Sequence, residues 1–350
     1  MPLAERQVAP DRYSFHGPLS EGEIDSLVAS PLLRVLQTDV PAPSATWDLI
    51  NESLLTSRPD IEIRVFGHNG LTCDLSFLRQ IRKVRRLSVD CLNNVVATEA
   101  IADLPDLRSL AVGIYNLESF DFLNGLDATN LTDVSLMATA SKKPSVKILS
   151  RFPRLTRLYL EAQQKDIEVI SGLMALEDLT LRSVTAKRLD FLRDLPRLWS
   201  LDMKLGGSKD LSALAGKSTL KYLELWQVRG LQDLSPIADV TGLQYLFLQS
   251  LPLVTNLPDF SALTHLRRIY LENMKGLRDV AAVDLAPAIE DMIFVSAQNL
   301  KPDDFRLLLR KKTLKRMNVY FGSEKKNAAL KSAAQAAGLE TNQNPPFVFV

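Results

Sequence analysis

Cysteine is nearly missing from this chain: Cys73 and Cys91 are the only two in 350 residues. Two thiols are too few for a disulfide framework, and they lack the spacing of a metal site. Histidine is as scarce. His16, His68 and His265 stand far apart, and His68 with Cys73 would supply only two loosely placed ligands, so no zinc site is expected. Charge of one sign is missing too. The 42 basic residues face 41 acidic ones, which leaves no overall field to draw in nucleic acid or an anionic membrane. No run of 18 apolar residues occurs, and the opening MPLAERQVAP has no apolar core of a leader. A protein of a reducing cytoplasm is therefore expected, and the sequons at Asn51 and Asn130 fall inside repeated segments and do not change that.

Catalytic signatures are absent as well. Neither G-x-S-x-G nor H-E-x-x-H occurs. The segment LGGSKD at 205–210 lacks the spacing of a phosphate loop. The densest basic clusters, RQIRKVRR at 79–86 and RLLLRKKTLKR at 306–316, are interleaved with inward apolar positions and lie many repeats apart. They read as solvated faces, because nucleic-acid binding wants a continuous basic stripe with stacking aromatics. No enzyme activity, cofactor, metal, nucleic-acid partner or membrane partner is expected.

What the sequence does have is repetition. The pattern L-x-x-L-x-L, with apolar substitutions, recurs from VRRLSV at 84–89 through LKYLEL at 220–225 and LQYLFL at 243–248 to LKRMNV at 314–319, in steps of 21 to 25 residues. Two weaker copies, LRVLQT at 33–38 and IEIRV at 61–65, precede them, giving about thirteen units. The connecting segments repeat too. LSFLRQIRKVRRLSV from Leu75 and LSPIADVTGLQYLFL from Leu234 place an apolar residue at every third position before the strand. That spacing suits a tight 3₁₀-like turn with one buried stripe. The DLS triplets at 74, 210 and 233 offer short side chains to cap its exposed N–H groups. In the strand itself the leucines alternate inward with period two. No unit could bury this face alone, but stacked neighbours can.

These residues resemble a leucine-rich-repeat protein, of the bacterial short-repeat, internalin-like type. The resemblance implies an α/β solenoid: a parallel sheet on the concave face, short helical or 3₁₀ turns on the convex face, and binding through the concave side. The family's usual Asn after the strand is replaced, at the corresponding positions, by Leu92, Tyr115, Thr139, Gln163, Val184, Gly206, Val228, Leu251, Met274, Ala297 and Gly322. Residues 1–66 form an N-terminal cap with the first irregular repeats, 67–322 the array, and 323–350 a C-terminal capping helix and extended tail. Within the first part, TWDLINESLLTSR at 46–58 reads as an amphipathic helix with Trp47, Ile50, Leu54 and Leu55 inward. In the last part Ser323 reads as N-cap and Gly338 as stop, and PPFVFV packs back onto the body.

Outward strand positions stack in columns about 4.8 Å apart. Tyr222, Trp226, Tyr245, Phe247 and Tyr270 thereby converge on three neighbouring strands, with Glu224, Arg268 and Glu272 among them. If each aromatic is half exposed, the five present roughly 375–625 Å², which reaches the upper end of what soluble monomers expose without purpose, about 300–600 Å². These eight residues are the expected partner-binding site, with Lys217 on the opposite convex face. The function expected is that of a monomeric, non-catalytic scaffold that recognises an unidentified protein, in an inhibitor, immunity-type or adaptor role. The alternative is a secreted or translocated effector, or the substrate-recognition module of an enzyme system.

Overall fold

The computed structural model describes residues 7–141 and 144–350, so residues 1–6, where the expectation about a leader begins, lie outside the described ones. The chain forms two compact units, Met1–Ala175 and Leu176–Val350.

In the first unit, strands β1 (Gln7–Ala9) and β2 (Arg12–Ser14) form an antiparallel hairpin. Parallel strands follow in chain order: β3 (Val35–Thr38), β4 (Glu62–Phe66), β5 (Arg86–Leu92), β6 (Ser109–Ile114), β7 (Asp133–Leu136) and β8 (Arg157–Glu161). The second unit continues the scheme with β9 (Asp178–Arg182), β10 (Ser200–Lys204), β11 (Tyr222–Trp226), β12 (Tyr245–Gln249), β13 (Arg268–Glu272), β14 (Asp291–Val295) and β15 (Arg316–Tyr320), all parallel and in register. Every L-x-x-L-x-L copy carries one of these strands.

The return segments explain the apolar period of three. Between β11 and β12, Ile237 N–H donates to the Leu234 carbonyl, Val240 to Ile237, and Leu243 to Val240, each at 3.0 Å. Bonds that span three residues put side chains i and i+3 over one another, so Leu234, Ile237, Val240 and Leu243 form one stripe, at most 2% exposed. The Asp-x-Ser starts behave as their chemistry requires. Asp74, Asp210 and Asp233 accept the backbone N–H of Ser76, Ser212 and Ser235 at 2.7–2.9 Å. Lys217 corrects its expected place on the convex surface. It occupies the third-residue slot in Leu211, Leu214, Lys217, Leu220, is 8% exposed, and its ammonium donates to the Leu195 and Arg193 carbonyls at 2.9 and 3.3 Å. Burial pulls its pKa down.

The corner after strands β8 to β14 takes the place of the absent Asn. Ala162, Ser183, Leu205, Gln227, Ser250, Asn273 and Ser296 follow directly on β8 to β14, and all have φ between 50° and 62°. This left-handed residue turns the next side chain inward, so Val184, Val228, Leu251, Met274 and Ala297 stack as a buried apolar column. At Gly206 a Cβ would lie 1.9 Å from the Val184 carbonyl oxygen, so only glycine fits there. Gln163 keeps a polar version of the corner, donating to the Met137 carbonyl at 3.0 Å and the Thr139 hydroxyl at 3.1 Å.

Helices flank the strands toward both ends of the described residues. At the start, helix α1 (Glu21–Ala29) is fixed by a capping box between Ser20 and Glu23. Helix α2 (Ser44–Leu49) runs through a wider turn at Ile50–Leu54 to Leu55–Ser57. Trp47, Ile50, Leu54 and Leu55 all point inward, and Trp47 stacks on Phe77 with centroids 4.1 Å apart. A short helix α3 (Ala281–Leu285) lies between β13 and β14. At the far end Ser323 caps helix α4 (Glu324–Ala336), and Gly338, at φ 81°, ends it. Glu340 then pairs with the edge of β15: its N–H donates to the Lys315 carbonyl at 2.9 Å, and Met317 N–H donates back at 3.0 Å.

Candidate functional site: the outward face of strands β10 to β13

Register places the eight expected residues together. Tyr222 opposes Tyr245, which opposes Arg268; Glu224 opposes Phe247 and then Tyr270; Trp226 opposes Gln249 and then Glu272. Their inward neighbours Leu223, Leu225, Leu246 and Leu248 are fully buried, so the strands hold these side chains on a rigid bed. Environments differ from column to column.

The first column is covered. Phe347 lies against Tyr245 with centroids 5.2 Å apart, and Phe349 meets Tyr222 edge-on at 6.1 Å and Trp199 at 5.3 Å. Arg268 is 4% exposed, donates twice to Asp291 at 2.8 and 3.1 Å, and once to the Pro345 carbonyl at 2.9 Å. The expectation of five half-exposed aromatics is corrected: each of the five is only partly exposed, and the final segment of the chain lies on Tyr222 and Tyr245. Phe347 and Phe349 alternate with Val348 and Val350, so both rings share one face. That alternation was the readable signal, and it predicts packing without telling where.

The second column holds a partly exposed aromatic pair. Phe247 and Tyr270 stack at 4.7 Å and 28°, an offset geometry that favours aromatic pairs. The Tyr270 hydroxyl reaches Glu272 at 3.4 Å, and Glu272 also accepts from Gln249 at 3.1 Å. Trp226 is half-buried, and its indole nitrogen is buried without an acceptor among the described residues.

Beside the aromatics sits a charged cluster. Lys204 bridges Asp202 at 3.2 Å and Glu224 at 3.3 Å, and Tyr222 donates to Glu224 at 2.7 Å. Burial and then the Glu224 charge push the Asp202 carboxyl up to about 6. Burial pulls the Lys204 ammonium down, but the two carboxylates outweigh it and hold it above its ordinary value. Burial first, and then Glu224, raises the Tyr222 phenol and keeps it protonated. Between about pH 4 and pH 6 Asp202 therefore holds a proton in the folded chain that the unfolded chain has lost. Its contribution to stability is present below pH 4 and disappears as pH rises through about 6. Asp202→Asn removes this dependence. Its stability relative to wild type is expected to rise by about 1–3 kcal/mol between pH 4 and pH 7, as read by urea unfolding of both proteins across that range. An unchanged difference would show that Asp202 titrates as an ordinary carboxylate.

Little here is arranged for chemistry. Among the described residues no group of three His, Cys, Asp or Glu is placed to hold a metal ion. Cys73 is buried, and burial pushes its thiol up to about 12, far from a reactive thiolate. No described helix is long and apolar enough to cross a membrane.

Residues that the strand pattern did not single out complete the surface: Trp199, Lys221, Gln244 and Arg267 stand at or just before the strand starts and touch the final segment.

No protein-family model matches the chain, and no curated protein matches it in sequence. Solved structures do match in shape. An internalin, inlF, from Listeria monocytogenes aligns with 94% of this chain and 90% of its own, at 15% identity and a TM-score of 0.52. TLR13, in its complex with ssRNA13, aligns with 88% of this chain and 54% of its own at 14% identity and a TM-score of 0.51. The Toll–Spatzle complex of Drosophila aligns with 90% of this chain and 51% of the other at 12% identity and a TM-score of 0.51. With the parallel strands, the inward leucines and the 3₁₀ returns, these likenesses establish the fold: the chain is a leucine-rich-repeat solenoid, similar in architecture to the internalins.

Proposed function

We propose that this protein is a non-catalytic scaffold that recognises a partner protein through the outward strand face of its second unit. The observation that carries the reading is the stacked Phe247–Tyr270 pair beside Trp226, held on a fully buried leucine bed and flanked by Glu224 and Glu272. Large aromatics with a few charges are the composition of interface hot spots. Solenoids of this fold serve unlike ligands, as a complex with ssRNA13 and a complex with Spatzle illustrate, so the choice of ligand class rests on the surface. Balanced charge and carboxylates beside the rings favour a protein over a nucleic acid, which would call for a basic stripe. We place the scaffold in a reducing compartment such as a cytoplasm, in keeping with the unpaired Cys73 and Cys91, and propose that it acts as a monomer. An inhibitor, immunity-type or adaptor role follows from holding a partner without acting on it.

Wild type, Phe247→Ala/Tyr270→Ala and Arg278→Ala, the last an exposed change on a return turn, should be immobilised and exposed to native lysate. Proteins enriched on wild type and on Arg278→Ala are expected to be lost from the double variant. Equal enrichment on all three would place the binding surface elsewhere.

A further inference from the structure

The final six residues show what the first column of this face is built to hold. Residues 345–350 run crosswise over the starts of β11 to β13, and the contacts divide into two kinds. Side chains are read by aromatic seats: Phe347 sits between Tyr245 and the guanidinium groups of Arg267 and Arg268, at 4.8 and 5.2 Å from its ring centroid. Phe349 sits between Trp199 and Tyr222. Main chain is read by polar side chains. Gln244 accepts the Val350 N–H at 3.0 Å and donates to the Val350 main-chain oxygen at 2.7 Å. Lys221 donates to the same oxygen at 2.8 Å, and Arg267 donates to the Val348 carbonyl at 2.5 Å. Part of the seat is held independently of the segment, since Asp291 on the next strand fixes Arg268, and with the segment in place Gln244 and Arg268 are each 4% exposed. Its occupant is lightly held in comparison. Val348 and Val350 are 71% and 74% exposed, and the segment forms no helix or strand. Segments with few buried contacts open first.

We propose that this strip is a groove for an extended peptide with aromatic residues at alternate positions, and that residues 345–350 are its occupant in cis, displaced when a partner presents a segment of the same chemistry. Alternating side-chain seats with main-chain hydrogen bonds between them are how extended peptides are recognised on sheets. The proposal shares with the preceding reading the premise that this face binds polypeptide. The test below needs no cellular partner, so either can fail without the other.

The probe is a fluorescently labelled peptide, Pro-Pro-Phe-Val-Phe-Val, titrated into wild type, into Phe347→Ala/Phe349→Ala and into a variant lacking residues 345–350. A tethered occupant competes at an effective concentration near millimolar. Anisotropy should therefore show saturable binding to both variants and at least tenfold weaker binding to wild type. Gln244→Ala added to the double variant should weaken binding, as should a peptide with both phenylalanines replaced by alanine. Both variants should melt as cooperatively as wild type, because the six residues cover the face without entering the leucine core. Binding to neither variant, equal binding to all three proteins, indifference to the phenylalanines, or loss of cooperative melting would each overturn the proposal, the last by making the segment part of the fold.

Discussion

Leu246→Ala is expected to cost about 2–5 kcal/mol, the range for emptying a fully buried leucine site. Leu246 is 0% exposed and lies between Leu223 and Ile269 in the inward column, with all three closed off by the returns behind them. In a stack where each repeat touches only its neighbours, the loss should stay near its source. Hydrogen exchange should show amides of β11 to β13 losing most protection, while strands of the first unit stay close to wild type. Uniform loss along the chain would mean that the repeats fold as one indivisible body.

Deleting residues 323–350 should have the other large effect. Helix α4 covers the last repeat with Leu330 and Ala334, Asn327 accepts the Phe321 N–H at 2.7 Å, and Glu340 pairs with the edge of β15. Without them Met317 and the hydrogen-bonding edge of β15 face solvent, and an open strand edge templates association. Light scattering should show the shortened protein aggregating at concentrations where wild type and the variant lacking only 345–350 remain monomeric. A monomeric product with unchanged melting would show that the segment caps nothing.

Repeat number, strand positions and the inward leucines were all legible, because a period of three followed by a period of two is the direct image of a 3₁₀ return and a strand. The helix at 46–58 and the Ser323–Gly338 cap were legible from amphipathicity and capping chemistry. The N-terminal hairpin was not, since Gln7–Ala9 and Arg12–Ser14, at 3 residues each, are too short to show alternation. Lys217 misled by its charge. Its slot in the apolar period was the sounder guide, and a long stem with an ammonium reaching carbonyls can fill such a slot. The candidate site divided in the same way. Strand register brought all eight residues together as expected, but the covering of Tyr222, Tyr245 and Arg268 depends on contacts between residues about 80 to 130 positions apart, which no local pattern encodes.

The account rests on Phe247 serving binding and not folding, and one paired measurement decides it. Once a partner is identified, its affinity and the melting temperature should be measured on wild type and on Phe247→Ala. Affinity is expected to fall by about 2 kcal/mol or more, roughly thirtyfold, with melting almost unchanged, because Phe247 lies outside the leucine core. Wild-type affinity in the variant, with melting lowered instead, would show that the Phe247–Tyr270 stack braces the sheet and that the partner is held elsewhere.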